Sequence, residues 1–360
     1  MQTVSNKLAE RIGDVPTVVS AKYQPRSDGG KMKVLAWFGT RDVRLIEAAI
    51  PDIPDPSNVM LRVTGTTIRG SDLHLYHGEI IQLQQGDILG HEFMGIIDRI
   101  GPDQKLSSMC DRTNSSGRFT GGFPGVQAEY VRVPKGNVNL LPIPDSVPDD
   151  KGLGPTGQCC VRFALLKGAK GVIGIDNVPA RLKLAQEISG IEIINFEEHT
   201  VKRIQELVLG GLDVAIDCGT FHQPKTLLHK VEKALMLETD VSEIVNEMIM
   251  ATRKMGSCAG MAAYAGYTNH FNIGTLMEKG IRLVGCGQVP VHKYQAELLE
   301  MIVERKLDPT SILTHRVSID EFPALYASFD KRLGGVEKVF VKTKFSAPPS
   351  TGAPKSKFCG

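Results

Sequence analysis

The chain has 360 residues, 42% of them hydrophobic, and a formal net charge of +2 at pH 7. This length exceeds the roughly 250–300 residues at which a single hydrophobic core stops growing, so we expect about two domains. A charge so close to zero provides no broad basic surface, which argues against nucleic acid and acidic lipid as partners and favours a small molecule.

The sequence favours a cytoplasmic protein without a membrane segment. No apolar secretory segment follows Met1, and no apolar run reaches the about 18 residues that a membrane-spanning helix needs. The seven cysteines are scattered without the spacing of a disulfide framework, which is typical of a reducing compartment. A transit peptide is a weaker alternative for residues 1–30, because basic side chains there are mixed with acids.

Strand-like patterns follow an N-terminal extension, residues 1–31. Short β-branched runs separated by Gly, Pro and Asp predict strands over residues 33–38, 43–46, 59–66, 93–100 and 127–133. This set predicts a small β barrel or sandwich over residues 32–151.

From residue 152 the pattern changes to alternating strands and helices. Strands are predicted over residues 172–175, 191–195, 214–217, 259–264 and 281–285, and helices over residues 161–166, 180–188, 201–208 and 241–252. This alternation predicts a parallel, doubly wound sheet over residues 152–290, in an α/β chain. Residues 291–345 are expected to return to the first domain, and residues 346–360, rich in Pro, Ser, Lys and Gly, are predicted to be disordered.

A glycine-rich turn suggests a dinucleotide site. Gly152, Gly154 and Gly157 form a GxGxxG pattern that opens a predicted helix. A strand ending in Asp176 follows about twenty residues later, where a carboxylate can accept both ribose hydroxyls and favours NAD over NADP. With Arg181 on the next helix, these five residues are the candidate cofactor-binding residues. The alternative is a glycine turn in an α/β domain that binds no nucleotide.

The strand that should precede this turn is missing. A dinucleotide-binding sheet needs a buried strand directly before Gly152, but residues 142–151 are rich in proline and acids. Prolines and acids cannot form the central strand of a parallel sheet. We therefore predict that the first strand of the sheet is absent and that the phosphate-binding turn has lost its anchor.

Two short motifs carry a family resemblance. Residues 70–74 are Gly-Ser-Asp-Leu-His, and residues 90–92 are Gly-His-Glu. Together they resemble the zinc-containing alcohol dehydrogenases of the medium-chain dehydrogenase/reductase superfamily. The resemblance implies a GroES-like β-barrel catalytic domain, a Rossmann-type domain, zinc and NAD as cofactors, and a small alcohol or aldehyde as substrate. It also implies a homo-oligomer formed through the edge strand at residues 281–285.

The same resemblance assigns roles to five residues. It makes His91 a zinc ligand and Glu92 a neighbour of the metal that serves as an alternate ligand. Ser71 corresponds to the hydroxyl that takes the alcohol proton, Asp72 to the carboxylate that orients His91, and His74 to a proton-relay histidine. The alternatives are an ordinary buried histidine at position 91 and turn chemistry at Gly-Ser-Asp.

The chain departs from the family pattern at both zinc sites. Arg69 occupies the position of a zinc-binding cysteine, and a guanidinium has no lone pair to offer a metal. The third ligand of the family lies before the GxGxxG turn, in a stretch that has no counterpart between Pro144 and Gly152. Of the four cysteines that hold the family's structural zinc, only Cys110 remains. These gaps indicate internal deletions.

Residues 233–240, 264–271 and 312–316 resemble the branch that contains glutathione-independent formaldehyde dehydrogenases and fungal zinc alcohol dehydrogenases. We interpret His270 and His315, which lie in these segments, as structural. The resulting prediction is a zinc-dependent alcohol or aldehyde dehydrogenase-like oxidoreductase that transfers hydride to NAD and is impaired in this chain. Two alternatives stay open: a non-catalytic pseudoenzyme, and a truncated gene model of a zinc alcohol dehydrogenase. A zinc-free quinone-reductase-like enzyme is less favoured, because such enzymes do not need the two motifs.

Overall fold

The computed structural model describes residues 24–78, 83–102, 123–141, 143, 147, 156–196, 199–219, 224–235, 237–262, 264, 267–286, 291–331 and 333–349. Most of the predicted N-terminal extension, the turn at Gly152 and Gly154, Cys110, and the predicted tail from residue 350 lie outside the described residues. The chain forms two compact units, Met1–Pro155 with Pro290–Gly360, and Thr156–Val289. The domain boundaries predicted from sequence stay a prediction.

The strands and helices are, in chain order, β1 (Lys31–Gly39), β2 (Asp42–Ala49), β3 (Val59–Thr66), α1 (Gly70–Tyr76), β4 (Phe93–Ile100), β5 (Tyr130–Val133), α2 (Gly136–Asn139), α3 (Thr156–Leu166), β6 (Ile173–Asp176), α4 (Pro179–Ser189), β7 (Glu192–Asn195), α5 (Thr200–Leu207), β8 (Leu212–Asp217), α6 (Leu227–Ala234), α7 (Glu243–Ala251), β9 (Thr252–Gly260), α8 (Ile273–Lys279), β10 (Arg282–Gly285), α9 (Val291–Val303), β11 (His315–Ser318), α10 (Phe322–Asp330) and β12 (Val339–Lys342). Short 3₁₀ helices lie at Pro309–Ile312, Ile319–Glu321 and Leu333–Gly335. No helix among the described residues is both long and apolar enough to cross a membrane.

Strand β3 is the centre of the first unit. It pairs antiparallel with β4, β5 and β12, and β12 pairs parallel with β11. Alternate residues of β3 (Val59, Leu61 and Val63) pack with Val131 and Val133 of β5 in a buried cluster. Side chains on the other face of β3, including Met60 and Thr64, are buried as well, so this strand is covered on both faces. The hairpin of β1 and β2 adds a second antiparallel pair.

The parallel strands of the second unit form two separate pieces. One contains β6 and β7, and the other contains β8, β9 and β10 in the order β10-β9-β8. In a doubly wound sheet the first strand lies between the second and the fourth. Among the described residues no strand joins β6 to β8, and most of residues 142–155, where the first strand would lie, are outside the described part of the chain.

The divided sheet leaves apolar side chains in water. Parallel strands are normally covered on both faces and buried. Here Ile175 of β6 is 39% exposed, and Val214 and Ile216 of β8 are 53% and 43% exposed. In β9, which has a partner on each side, Cys258 is fully buried. Within the described residues, β6 and β8 therefore each have one edge without a neighbouring strand and expose apolar side chains.

Local capping explains two helices that the sequence patterns did not predict. Helix α6 begins after Thr226, whose hydroxyl accepts a hydrogen bond from the backbone N–H of His229. Helix α8 begins after Asn272, whose side chain accepts from the Thr275 N–H, and it ends at Gly280 with φ of +60°. Strand β9 starts at Thr252, seven residues before the predicted start at 259, so that prediction was wrong at its first boundary.

Candidate active site

Helix α1 fixes the first part of the site. Arg69 precedes the helix with an extended backbone, and its N–H donates to Asp72 Oδ2 over 2.7 Å. A carboxylate in the first turn satisfies a backbone donor that the helix leaves unpaired. The helix so places Ser71 and Asp72 in its first turn and His74 in its last turn. The predicted turn chemistry of Gly-Ser-Asp is therefore helix-capping chemistry.

A glycine turn brings His91 and Glu92 to the same place. Gly90 has φ of +91°, and a Cβ at this position would lie 2.4 Å from Cγ of Gln127, so only glycine fits. The buried Gln127 donates to Thr67 O over 3.0 Å and accepts from the Tyr326 hydroxyl over 2.8 Å. Burial raises the pKa of Tyr326 well above its ordinary value, so the hydroxyl stays a donor. The side chain of Gln127 is thus fixed by hydrogen bonds at both its nitrogen and its oxygen, and it packs against the turn at Gly90.

His91 lies between Ser71 and Asp72. Its Nε2 is 3.3 Å from the Ser71 Oγ, and its Nδ1 is 3.3 Å from the Asp72 Oδ1. Asp72 is buried. Burial disfavours the charged form of His91, but the carboxylates of Asp72 and Glu92 outweigh it and raise its pKa above the ordinary value. These three predicted residues therefore do come together, and they make a positioned proton-carrying group.

Glu92 is bound by two cations. Arg69 Nη1 lies 3.0 Å from Glu92 Oε1, and Lys338 Nζ donates to Glu92 Oε2 over 2.6 Å. Burial would raise the pKa of Glu92, but Lys338 and Arg69 outweigh it and hold the pKa below its ordinary range. Lys338 is itself only 2% exposed, whereas Arg69 and Glu92 are half-buried, so this is a partly buried ion-pair cluster, with the carboxylate ionised.

These residues do not fit a catalytic zinc ion. Such a site needs about three protein ligands at roughly 2.0–2.3 Å and an open fourth position. Both carboxylate oxygens of Glu92 are engaged by cations, and the Nε2 of His91 faces a hydroxyl. The guanidinium of Arg69 carries a positive charge next to the place where a dication would have to sit. The predicted ligands His91 and Glu92 lie side by side, but their partners are those of an ion-pair cluster.

Three of the predicted nucleotide-binding residues, Gly157, Asp176 and Arg181, lie in the second unit. Asp176 ends β6, and its Oδ1 accepts from the Val178 N–H over 2.9 Å. Arg181 Nη1 on α4 is 3.8 Å from the Asp176 Oδ2. Gly157 lies in the first turn of α3, whereas Gly152 and Gly154 lie outside the described residues. The acid and the arginine are thus brought together at the end of a parallel strand, where ligands bind in α/β folds.

Sequence reasoning missed two groups of residues. Lys338 stands 246 positions from Glu92, and a lysine before a short strand gives no local signal of burial. His229, Glu232 and Glu238 in the second unit have possible metal-ligating atoms within 4.8 Å of one another. The spacing of His229 and Glu232, three residues apart on one helix, was a signal that could have found the second group.

Comparisons with known proteins agree on one family. The alcohol dehydrogenase GroES-like domain matches residues 55–145, and the zinc-binding dehydrogenase model matches residues 155–237. The chain is 30% identical to a zinc-type alcohol dehydrogenase-like protein of Schizosaccharomyces pombe over 395 aligned positions, which cover 89% of this chain and 93% of that protein. It is also 30% identical to an uncharacterized zinc-type alcohol dehydrogenase-like protein, AdhB, of Bacillus subtilis, over 86% of this chain and 100% of that protein. The 395 aligned positions exceed the whole length of 360 residues, so the yeast protein carries residues that have no counterpart here.

Solved structures share the fold. An alcohol dehydrogenase from Thermus sp. ATN1 superposes with a TM-score of 0.71 at 23% identity, covering 87% of this chain and 100% of that chain. A short chain alcohol dehydrogenase from E. coli CFT073, complexed with NADH, has a TM-score of 0.69 at 18% identity, over 87% and 100%. A putative zinc-binding dehydrogenase from Sinorhizobium meliloti 1021, bound to NADP, has a TM-score of 0.67 at 19% identity, over 87% and 99%. These TM-scores show that the fold combines a GroES-like and a Rossmann-type domain.

Proposed function

Because the chain belongs to the zinc-type alcohol dehydrogenase family, for which zinc and NAD are the expected cofactors, we propose that it is an alcohol dehydrogenase-like oxidoreductase with impaired zinc-dependent turnover. Its substrates by descent are small alcohols or aldehydes, and its nucleotide is NAD. One observation supports the impairment above all others: Arg69 and Lys338 lie 3.0 and 2.6 Å from the two oxygens of Glu92. A site that neutralises its carboxylate with two side-chain cations has no need of a metal ion.

Other residues of the site retain what proton transfer requires. Asp72 and Ser71 flank His91, so the imidazole can exchange a proton with a hydroxyl on one side while a buried carboxylate favours its charged form on the other. Zinc, where the family binds it, supplies the polarisation of the alcohol oxygen. The three residues alone do not supply that polarisation, which is why impairment is the expected result.

The acid at the end of β6 supports NAD as the nucleotide. A carboxylate at this position accepts both ribose hydroxyls, and it repels the additional phosphate of NADP. Arg181, 3.8 Å from Asp176, partly neutralises that acid, so we expect preference for NAD and not complete rejection of NADP.

Substitution of Arg69 tests the proposal directly. Arg69→Cys gives a Cys-His-Glu ligand set, and Arg69→Lys is the matched control that retains the charge. We expect the unchanged chain and Arg69→Lys to form no NADH from short alcohols above the level of His91→Ala. Arg69→Cys should bind zinc more tightly by about 10-fold or more, and the added binding should disappear in Arg69→Cys/His91→Ala. The comparison of these two variants isolates zinc held at this site.

Two results would contradict the proposal. Alcohol-dependent NADH formation by the unchanged chain, abolished by His91→Ala, would mean that zinc binds despite Arg69. Zinc affinity unaltered by Arg69→Cys would mean that position 69 is not a ligand position. NADH binding without turnover in every variant would favour the second candidate, a non-catalytic member of the family, for which the same ion-pair cluster is the supporting observation.

Assembly and location belong to the same proposal. Strand β10, at the edge of its sheet piece, has all four residues exposed, which supports a homo-oligomer formed through this edge. Light scattering of the purified chain tests it. The seven cysteines, scattered without the spacing of a disulfide framework, support a reducing compartment such as the cytoplasm.

A further inference from the structure

We propose that His229, Glu232 and Glu238 form a binding site for a divalent transition-metal ion in the second unit, built from helix α6 and the segment that follows it. One ligand atom from each of the three residues lies within 4.8 Å of the others. The site is separate from the residues around His91, and it does not depend on whether that site is impaired.

The helix and the turn after it explain the geometry. His229 and Glu232 are three residues apart on α6, so they project from the same face. The chain then leaves the helix and returns Glu238 to that face, where its Oε1 is 2.6 Å from His229 Nδ1. Two ligands from one helix turn and a third from the next segment form a compact donor set.

Burial and charge make this cluster unusual. The side chains of His229 and Glu238 are 6% and 0% exposed, and that of Glu232 is 16% exposed. Within the described part of the chain, the ion pairs of Glu232 and Glu238 are made with histidines, without a lysine or arginine. Buried carboxylates are ordinarily paired with a full positive charge or bound to a metal. A dication between the two carboxylates would supply that charge.

Neighbouring groups orient the carboxylates. His270 Nε2 lies 3.0 Å from Glu232 Oε1, and the Asn269 side chain donates to Glu232 Oε2 over 3.1 Å. The backbone N–H of Asn269 donates to Glu238 Oε2 over 3.2 Å. Such outer hydrogen bonds are typical supports of metal-binding carboxylates.

The position of His270 requires backbone strain. Its φ is +56°, in the left-handed region that a residue with a side chain seldom adopts. The Asn246 side chain donates to His270 O over 2.9 Å, and Ser242 Oγ donates to Asn269 O over 2.7 Å, so the surrounding segment holds this conformation. The strained residue places its ring against Glu232, where it positions the ligand.

The donor set selects the class of ion. One imidazole nitrogen and two carboxylate oxygens suit zinc, cobalt or manganese, whereas calcium and magnesium prefer oxygen donors alone. Bonds of about 2.0–2.2 Å in a tetrahedron separate ligand atoms by roughly 3.3–3.6 Å. To bind one ion, His229 Nδ1 and Glu238 Oε1, now 2.6 Å apart, must separate by about 1 Å, and a pair at the 4.8 Å limit must approach by a similar amount. The hydrogen bond between those two atoms is then replaced by bonds to the ion, and its proton leaves to solvent.

Cobalt and zinc binding test the site on the full chain. The chain, stripped with a chelator, is titrated with Co²⁺ and then Zn²⁺, with visible absorption and calorimetry as readouts. The background is His91→Ala, which removes the other histidine site. We expect about one ion per chain, weakened about 10-fold or more by Glu232→Gln, and unchanged by Glu187→Gln. Glu187, exposed on α4, is the matched control.

Three results would overturn the assignment. They are no Co²⁺ absorption in the His91→Ala chain, equal affinity in Glu232→Gln, and equal weakening by Glu187→Gln. Far-UV circular dichroism checks that Glu232→Gln is folded. If Glu232→Gln is not folded, the visible absorption of Co²⁺ in the folded His91→Ala chain decides whether the site exists. Four- or five-coordinate cobalt absorbs strongly in the visible range, whereas a hexahydrated ion adsorbed to the surface hardly does. Impaired alcohol turnover can fail as a proposal without changing any of these readouts.

Discussion

Replacing Lys338 by Met removes one of the two cations from Glu92 and should destabilise the first unit. Breaking a buried ion pair costs about 3–5 kcal/mol, because the remaining charge is left in a poorly solvated place. Here Glu92 keeps Arg69 at 3.0 Å, and its side chain is 22% exposed, so we expect about 2–3 kcal/mol. At about 2–4 °C per kcal/mol, the midpoint of thermal unfolding should fall by roughly 5–10 °C.

Fluorescence gives a local readout, because Trp37 in β1 is the single tryptophan of the chain and lies in the first unit. Urea unfolding is followed for Lys338→Met, Glu92→Gln and the double variant. The coupling free energy of this cycle should be about 1–3 kcal/mol, since the two atoms are in contact. Lys342→Met is the control. Lys342 is the exposed last residue of β12, the strand that follows Lys338, and this substitution should change stability by less than about 0.5 kcal/mol. A coupling free energy near zero would refute the ion-pair description of the site.

Three further predictions concern other parts of the chain. Burial opposes ionisation of Glu243, but the backbone N–H groups before α6 hold its pKa below the ordinary value. The ionised carboxylate therefore stabilises the folded chain fully above about pH 4.3, and this contribution is lost as the pH falls through the lowered pKa. Glu243→Gln should therefore cost about 1–2 kcal/mol at pH 7, by pH-dependent thermal unfolding, and the difference should shrink in acid; a constant difference would contradict the assignment. Gly65→Ala places a Cβ 2.3 Å from the Phe340 ring and should cost about 1–3 kcal/mol in urea unfolding, whereas Gly39→Ala, with no atom within 4 Å, should be nearly neutral; equal effects would contradict the steric account. Asp176→Ala should weaken NADH binding about 10-fold in a fluorescence titration, and unchanged affinity would remove Asp176 from the nucleotide site.

The parts of the fold that follow from local patterns could be predicted. Strands β3 and β4 have the predicted bounds. A short run of β-branched residues between turn-forming residues can be recognised from a few neighbouring positions, without knowledge of the rest of the fold. The boundary between α7 and β9 could not be predicted in the same way. There the helix ends at Ala251 and the strand begins at the next residue. The charged side chains of Arg253 and Lys254 follow at the start of the strand. Apolar patterning alone places the strand later, where the small apolar residues are.

The candidate site shows the same limit. Ser71 and Asp72 lie only about 20 residues before His91 in the sequence. Each of these two segments carries a motif of the family. The buried ammonium of Lys338 reaches Glu92 from the far end of the first unit, through the pairing of β12 with β3. Lysines are mostly exposed, and only tertiary packing shows that this one is not. Sequence reasoning singled out Arg69 but not Lys338, the second cation that contacts Glu92.

The cation at position 69 suggests how this site keeps its fold. Arg69 places a positive charge 3.0 Å from Glu92. A guanidinium is saturated with donors and cannot accept an alcohol oxygen's lone pair as a Lewis acid does. Together with Lys338, however, it keeps the carboxylate paired, and Asp72 and His91 lie beside that ion pair. Arg69→Lys should consequently preserve stability better than Arg69→Ala, and equal destabilisation of the two variants in urea would show that charge is not what holds this site together.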